Sequence, residues 1–159
     1  MHKESNMDED ILGKVRLRAC GVLVMHDAVL LVKHSNLGPN GYFWSPPGGE
    51  IEFGETLSAA VEREFEEECN LRVKAGSLLF CTEFIQPPLH AVELFFEAFW
   101  QDGTLRIGSD PGSQSRSIQL IDVAWWKLEA MRKEGLENYH AIFSKIEVMN
   151  DLFKLRQTL

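Results

Sequence analysis

Cysteine is scarce and poorly placed for cross-linking: Cys20, Cys69 and Cys81 are odd in number and show no CxxC spacing. That excludes a disulfide framework and a structural zinc site, and it makes a reducing cytoplasm the expected setting. Long apolar runs are missing as well. No stretch approaches the roughly 18 apolar residues of a membrane span, and the opening MHKESNMDED is polar and charged where a secretory leader would be apolar. No membrane partner is expected. Internal repeats and low-complexity segments are absent. Positive charge is in short supply, 16 Lys and Arg against 24 Asp and Glu for a net −8, which speaks against binding to a phosphate backbone, so no nucleic-acid partner is expected.

What is present suits one domain with a real core: 159 residues, 45% hydrophobic and 25% charged. The reading is a polar tail over residues 1–12 and a single domain over 13–159. The acid is concentrated. Residues 49–71 hold eight Glu and one Arg, a local charge of −7, which leaves −1 for all the rest. An imbalance packed into so short a stretch asks for a counter-cation.

The order of elements is mixed. VRLRACGVLVM (15–25) and AVLLVKH, separated by the turn-like His26-Asp27, read as a hairpin. Two prolines and three glycines in FWSPPGGEIEFGE forbid a regular helix. From Thr56, a capping residue, Leu57, Val61, Phe65 and Cys69 recur every four positions, so a helix is expected to stop near Asn70. LRVKAGSLLFCTEFIQ reads as extended chain ended by Pro87-Pro88. HAVELFFEAFW alternates, with Val92, Leu94, Phe96, Ala98 and Trp100 on one face and Glu93 and Glu97 on the other with Phe95 and Phe99, the pattern of a half-buried strand. A polar loop over 108–117, a strand over IQLIDVAWW and a short helix at KLEAMRKE follow. Tyr139, Ile142, Phe143, Ile146, Met149 and Phe153 then predict a terminal helix over about 138–156, covering the core or, alternatively, contacting a second copy in a homodimer.

On the helix after Thr56, Glu64, Glu67 and Glu68 share an arc of about 100° that borders the apolar face, while Glu62, Arg63 and Glu66 fall on the opposite side. Three carboxylates held together beside a core raise one another's pKa or destabilise the helix unless a divalent cation neutralises them. The donors are all oxygen, which points to Mg²⁺ or Mn²⁺ and away from Zn²⁺. Magnesium keeps waters and takes substrate phosphates, so phosphate chemistry is the first expectation.

Gly49, Glu55, Arg63, Glu64, Phe65, Glu67, Glu68 and Leu71 match eight of the nine fixed positions of G-x5-E-x7-R-E-U-x-E-E-x-G-U, U being a bulky apolar residue. This segment resembles the box of the Nudix hydrolases. The exception is Asn70 in place of glycine, a mild change because Asn enters the left-handed conformation at helix ends. The resemblance implies an α/β (α+β) fold, an α/β/α sandwich around a mixed β-sheet. It also implies metal binding by Glu64, Glu67 and Glu68 with the Gly49 carbonyl, and a loop held against the helix by Glu55 and Arg63. The implied reaction is hydrolysis of a nucleoside diphosphate linked to another group. Glu64 is the first choice for general base, with Glu93 and Glu97 as alternatives that otherwise read as edge charges facing water.

Further residues are candidates for a small-molecule nucleotide substrate. Arg16 and Arg18 would clamp a phosphate or stack on a base, the alternative being ordinary exposed strand arginines. Phe43 and Trp44 would line the pocket or pack beneath the loop. The five histidines show no metal-like spacing and are assigned no catalytic part. Pro87, 16 positions beyond the box, is similar to a proline of ADP-ribose pyrophosphatases in that family, which puts ADP-ribose or a related nucleotide sugar slightly ahead of (d)NTP clean-up. A non-catalytic nucleotide-binding regulator and an interaction domain with a merely solvated acidic helix are the remaining alternatives; an intact glutamate trio favours the enzyme.

Overall fold

The computed structural model describes residues 13–109, 111 and 118–155. The polar tail expected over 1–12, most of the 108–117 loop and the end of the last segment lie outside them.

The strands are β1 (Arg16–Val22), β2 (Val24–Met25), β3 (Ala28–Ser35), β4 (Tyr42–Ser45), β5 (Gly48–Glu50), β6 (Leu71–Gln86), β7 (Leu89–Gly103) and β8 (Leu120–Trp126); the helices are α1 (Leu57–Cys69) and α2 (Leu128–Glu134). One sheet has the order β5-β1-β7-β6 and is mixed, because β1 runs parallel to β7 while the other pairs are antiparallel. In the second sheet β3 pairs antiparallel with β2, β4 and β8. The fold is the expected mixture of α and β around a mixed sheet.

β1 and β3 are covered on both faces, which is why CGVLV and AVLLV are continuously apolar instead of alternating. On one side α1 sets Ala60, Val61, Phe65 and Cys69 against Ala19, Leu30, Val32 and Phe96. On the other, Cys20, Val22, Leu31 and Phe95 meet side chains from α2 and the C-terminal segment, among them Met131, Ile142, Phe143 and Leu152. A Cβ on Gly21 would collide with the Phe65 ring, so glycine there sets how closely α1 approaches β1.

The hairpin forms about His26-Asp27, whose φ values of 50° and 63° are those of a tight two-residue turn, but it joins β2 to β3; β1 leaves for the other sheet. α1 starts and stops as expected. The Thr56 hydroxyl accepts from Ala59 N–H at 3.1 Å, and Asn70 closes the helix with φ 56°, ψ 31° and its N–H on the carbonyls of Phe65 and Glu66. Asn70 also donates its amide to Thr104 O at 2.8 Å, a bond that glycine would not make.

Two expectations are corrected. β7 is an inner strand buried on both faces, so Glu93 is not an edge charge in water: it is 2% exposed. The terminal helix is replaced by three 3-10 turns, Leu136–Asn138, Ala141–Lys145 and Met149–Phe153. Tyr139 is extended and bridges in parallel to Trp44, and His140 N–H donates to Trp44 O at 2.9 Å. Backbone groups committed to β4 are not available to a helix, and the apolar side chains still reach the core because 3-10 turns repeat every three residues. No helix among the described residues is long and apolar enough to cross a membrane.

Candidate active site

Arg63 is the hub where the loop after β5 meets α1. Its Nε donates to Glu55 Oε1 at 2.7 Å and its Nη2 to Glu55 Oε2 at 3.0 Å and to Glu50 O at 3.1 Å. Nη1 reaches Glu64 Oε1 at 2.7 Å and Glu67 Oε2 at 3.3 Å. The helical wheel placed Arg63 on the far side of α1; the structure corrects this, since the long side chain wraps back across one turn to where the carboxylates are. Glu66 is exposed as expected, while Glu62 is half-buried and accepts from Ala75 N–H at 3.0 Å.

The three glutamates differ. Glu64 and Glu68 are buried, at 3% and 0% exposure, and Glu67 is half-buried. Glu68 Oε1 accepts from Gly48 N–H at 2.9 Å, which ties α1 to β5. His34 Nε2 stands 3.8 Å from Glu68 Oε2, but burial, with the charge of Arg18, lowers the imidazole to about 4, so the contact is not an ion pair at neutral pH. Among the described residues no three His, Cys, Asp or Glu side chains are gathered as a ligand set; the cation between Glu64 and Glu67 is Arg63. The donor chemistry nevertheless fits a hard divalent ion: carboxylate oxygens beside a glycine whose Cβ, if present, would collide with the Glu64 carboxylate. Backbone and carboxylate thus share a space that any side chain at position 49 would fill.

A cavity of about 380 Å³ opens beside this hub, lined by Gly49, Arg63 and Glu64 and by the apolar side chains of Leu37, Phe43 and Phe84 among others. Arg16, Arg18 and Glu93 line it too, whereas Trp44, Glu97, Glu67 and Glu68 do not. Trp44 packs in the core against Trp126, ring centroids 5.3 Å apart. Arg16 donates to Glu50 Oε2 at 3.1 Å, and Arg18 to Gly48 O at 2.9 Å. Pro87 sits exposed in the turn between β6 and β7 and does not line the cavity.

Sequence reasoning missed His140. It lines the cavity and is 3% exposed, with Nε2 2.7 Å from Glu93 Oε1. Burial alone would raise the Glu93 carboxyl, but the His140 hydrogen bond, with Arg18 and Thr82, outweighs it and holds the group below the usual carboxylate range. Nothing in the sequence signals this pair, 47 positions apart. Cys20, which also touches Glu93, has its thiol pushed up by burial and is no nucleophile.

The chain is 35% identical over 92 residues to an ADP-ribose pyrophosphatase of Methanocaldococcus jannaschii, covering 57% of this chain and 54% of that one. It is 36% identical over 94 residues to the m7GpppN-mRNA hydrolase NUDT17 of Xenopus laevis, 55% of this chain and 31% of the relative. The chain therefore spans about half the first relative and about a third of the second. The solved MutT NUDIX hydrolase of Burkholderia pseudomallei superposes with a TM-score of 0.59 at 24% identity, over 73% of this chain and 85% of that one, a likeness of fold. The family model of the NUDIX domain matches residues 15–145, from the start of β1 through the turn that follows His140, and so the chain belongs to the Nudix family.

Proposed function

We propose that this domain is a metal-dependent pyrophosphohydrolase that splits a nucleoside diphosphate linked to another moiety into a nucleoside monophosphate and a phosphorylated product, with ADP-ribose or a nucleotide sugar ahead of (d)NTPs. The observation that carries the reading is one cavity lined by two chemistries, the charged Arg63 and Glu64 with Gly49, and the aromatic rings of Phe43 and Phe84. A diphosphate needs the first and a nucleobase suits the second.

Glu64, Glu67, Glu68 and the Gly49 carbonyl would hold Mg²⁺ or Mn²⁺. The chemistry such an ion supplies when bound is neutralisation of diphosphate charge and activation of water. The chain's own residues do the rest. Arg63 fixes the Glu64 carboxylate through Oε1 and locks the loop through Glu55. Glu64 takes the proton of the attacking water as a new P–O bond forms at one phosphorus, the bridging P–O bond breaks and the other phosphate leaves with the bridging oxygen. Arg16 and Arg18 meet the phosphate oxygens, and the apolar wall excludes water from the base.

The test is product analysis on a panel of ADP-ribose, nucleotide sugars, dNTPs and capped dinucleotides, with and without Mg²⁺. Phosphate-ester products are expected only with the ion, and Glu67→Gln is expected to lower turnover roughly 10²-fold or more. An active metal-free enzyme would overturn the metal reading. An inactive one that still binds nucleotides would favour a regulator.

A further inference from the structure

The cavity lining also holds a chain of buried polar groups, of which the scheme above uses only Arg18. Ile142 N–H donates to His140 Nδ1 at 3.3 Å, so the ring proton sits on Nε2, which donates to Glu93 Oε1 at 2.7 Å. Thr82 adds its hydroxyl to Glu93 Oε1 at 3.4 Å. The other carboxylate oxygen faces Arg18 Nη1 at 3.5 Å, and Arg18 Nη2 donates to Gly48 O at 2.9 Å, one residue from the Gly49 that packs on Glu64. The His140 ring is boxed by Phe43, Phe84 and Phe95, with centroids 5.2 to 6.4 Å away.

Such a cluster is a poor choice for stability alone. Replacing a buried ionic group by apolar residues of similar volume is commonly neutral or stabilising, and the surroundings here are already aromatic. The Arg18 fork is also incompletely used: among the described residues its buried Nε–H has no hydrogen-bond partner, which an arginine kept for packing would be expected to satisfy. What the chain of bonds does achieve is direction, since a long flexible side chain is held beside Gly48 in the lining of the cavity.

We propose that His140 is a positioning residue for diphosphate binding: it fixes Glu93, and Glu93 fixes the Arg18 guanidinium beside Gly48, where Arg18 contacts the phosphate oxygens of a bound nucleoside diphosphate. The proposal rests on the pyrophosphohydrolase reading for the identity of the ligand. The C-terminal segment thereby becomes part of the site, because its 3-10 course is what delivers His140 to the wall.

The experiment separates the N–H from the ring. His140→Phe keeps an aromatic ring and removes the donor; His140→Gln keeps a donor of similar reach and removes the ring. ADP binding by calorimetry and the KM and kcat of the full chain are measured for both, with Arg18→Lys and the His140→Phe/Arg18→Lys double variant. His140→Phe is expected to weaken ADP binding and raise KM roughly ten-fold, the scale of a lost charge-assisted bond, with kcat within about two-fold. His140→Gln is expected to restore most of this, and the double variant to be no worse than Arg18→Lys. A Phe variant that binds ADP like the parent, a Gln variant no better than Phe, or effects that multiply in the double variant would each overturn the proposal. Should His140→Phe not fold, Glu93→Gln carries the same expectation for ADP and KM. Normal ADP binding and KM in these variants, beside a dead Glu67→Gln, sinks this inference alone; absence of turnover with intact ADP binding sinks the hydrolase reading alone.

Discussion

Arg63 and Glu55 meet as two parallel hydrogen bonds, Nε to Oε1 at 2.7 Å and Nη2 to Oε2 at 3.0 Å. The hydrogen bonds from Arg63 hold the Glu55 carboxyl below its usual range, and the same guanidinium reaches Glu64. A lysine is a single point charge and makes no fork. Arg63→Lys is therefore expected to lower turnover by about ten- to a hundred-fold and to cost about 1.5–3 kcal/mol of stability. Steady-state kinetics and urea unfolding check it; a variant indistinguishable from the parent would show that the fork is idle.

Gly48 and Gly49 are expected to fail differently. A Cβ on Gly48 would stand 2.6 Å from Ala19 O and from Cys20 Cα, backbone that does not yield, so Gly48→Ala is expected to unfold at markedly lower urea. On Gly49 the Cβ meets the Glu64 carboxylate, the far end of a side chain that can rotate. Gly49→Ala is expected to melt close to the parent and to lose turnover roughly 10²-fold, because the displaced group is the proposed base. Equal stability losses in the two variants would contradict this division.

Glu93 predicts an acid limb. Its carboxyl lies below the ordinary value in the fold: burial opposes this, but His140, Arg18 and Thr82 prevail. In the unfolded chain it returns to roughly 4.3. The stabilisation is thus fully present above that value and is lost as pH falls through the depressed folded pKa. Glu93→Gln is expected to be less stable than the parent at pH 7, with the gap narrowing as pH falls below the unfolded value of roughly 4.3. Urea midpoints measured across pH 3–8 decide; a gap that stays constant to pH 3 would remove the carboxylate from the account.

Thr56 caps α1 through Ala59 N–H, and Phe65 is fully buried beneath the same helix. Thr56→Ala is expected to cost about 1 kcal/mol and Phe65→Ala about 3–5 kcal/mol. Turnover of Thr56→Ala at temperatures well below melting should match the parent. A capping change that stopped catalysis would show that the helix start moves with the site.

The limits of α1, the left-handed end at Asn70 and the position of the acidic arc were legible because capping and helical periodicity act over a few residues, each a local interaction. The division of the strands was partly legible. β2 and β3 form the turn that His26-Asp27 demands, but no local signal says that β1 departs to pair with β5 and β7. The amphipathic run after residue 138 satisfied a helix just as well as it satisfies three 3-10 turns. Trp44 decided between them by taking the backbone N–H of His140.

By itself the sequence determined the carboxylate-rich helix, its caps, the glycine loop before it and the family they announce, since all of these lie within 23 consecutive residues. Tertiary structure alone decided that Arg63 turns back among the glutamates, that Glu93 is interior, and that His140 from the far end of the chain reaches it. A buried carboxylate is tolerable only where partners converge on it, and those partners come from β1, β6 and the C-terminal segment, which only folding brings together.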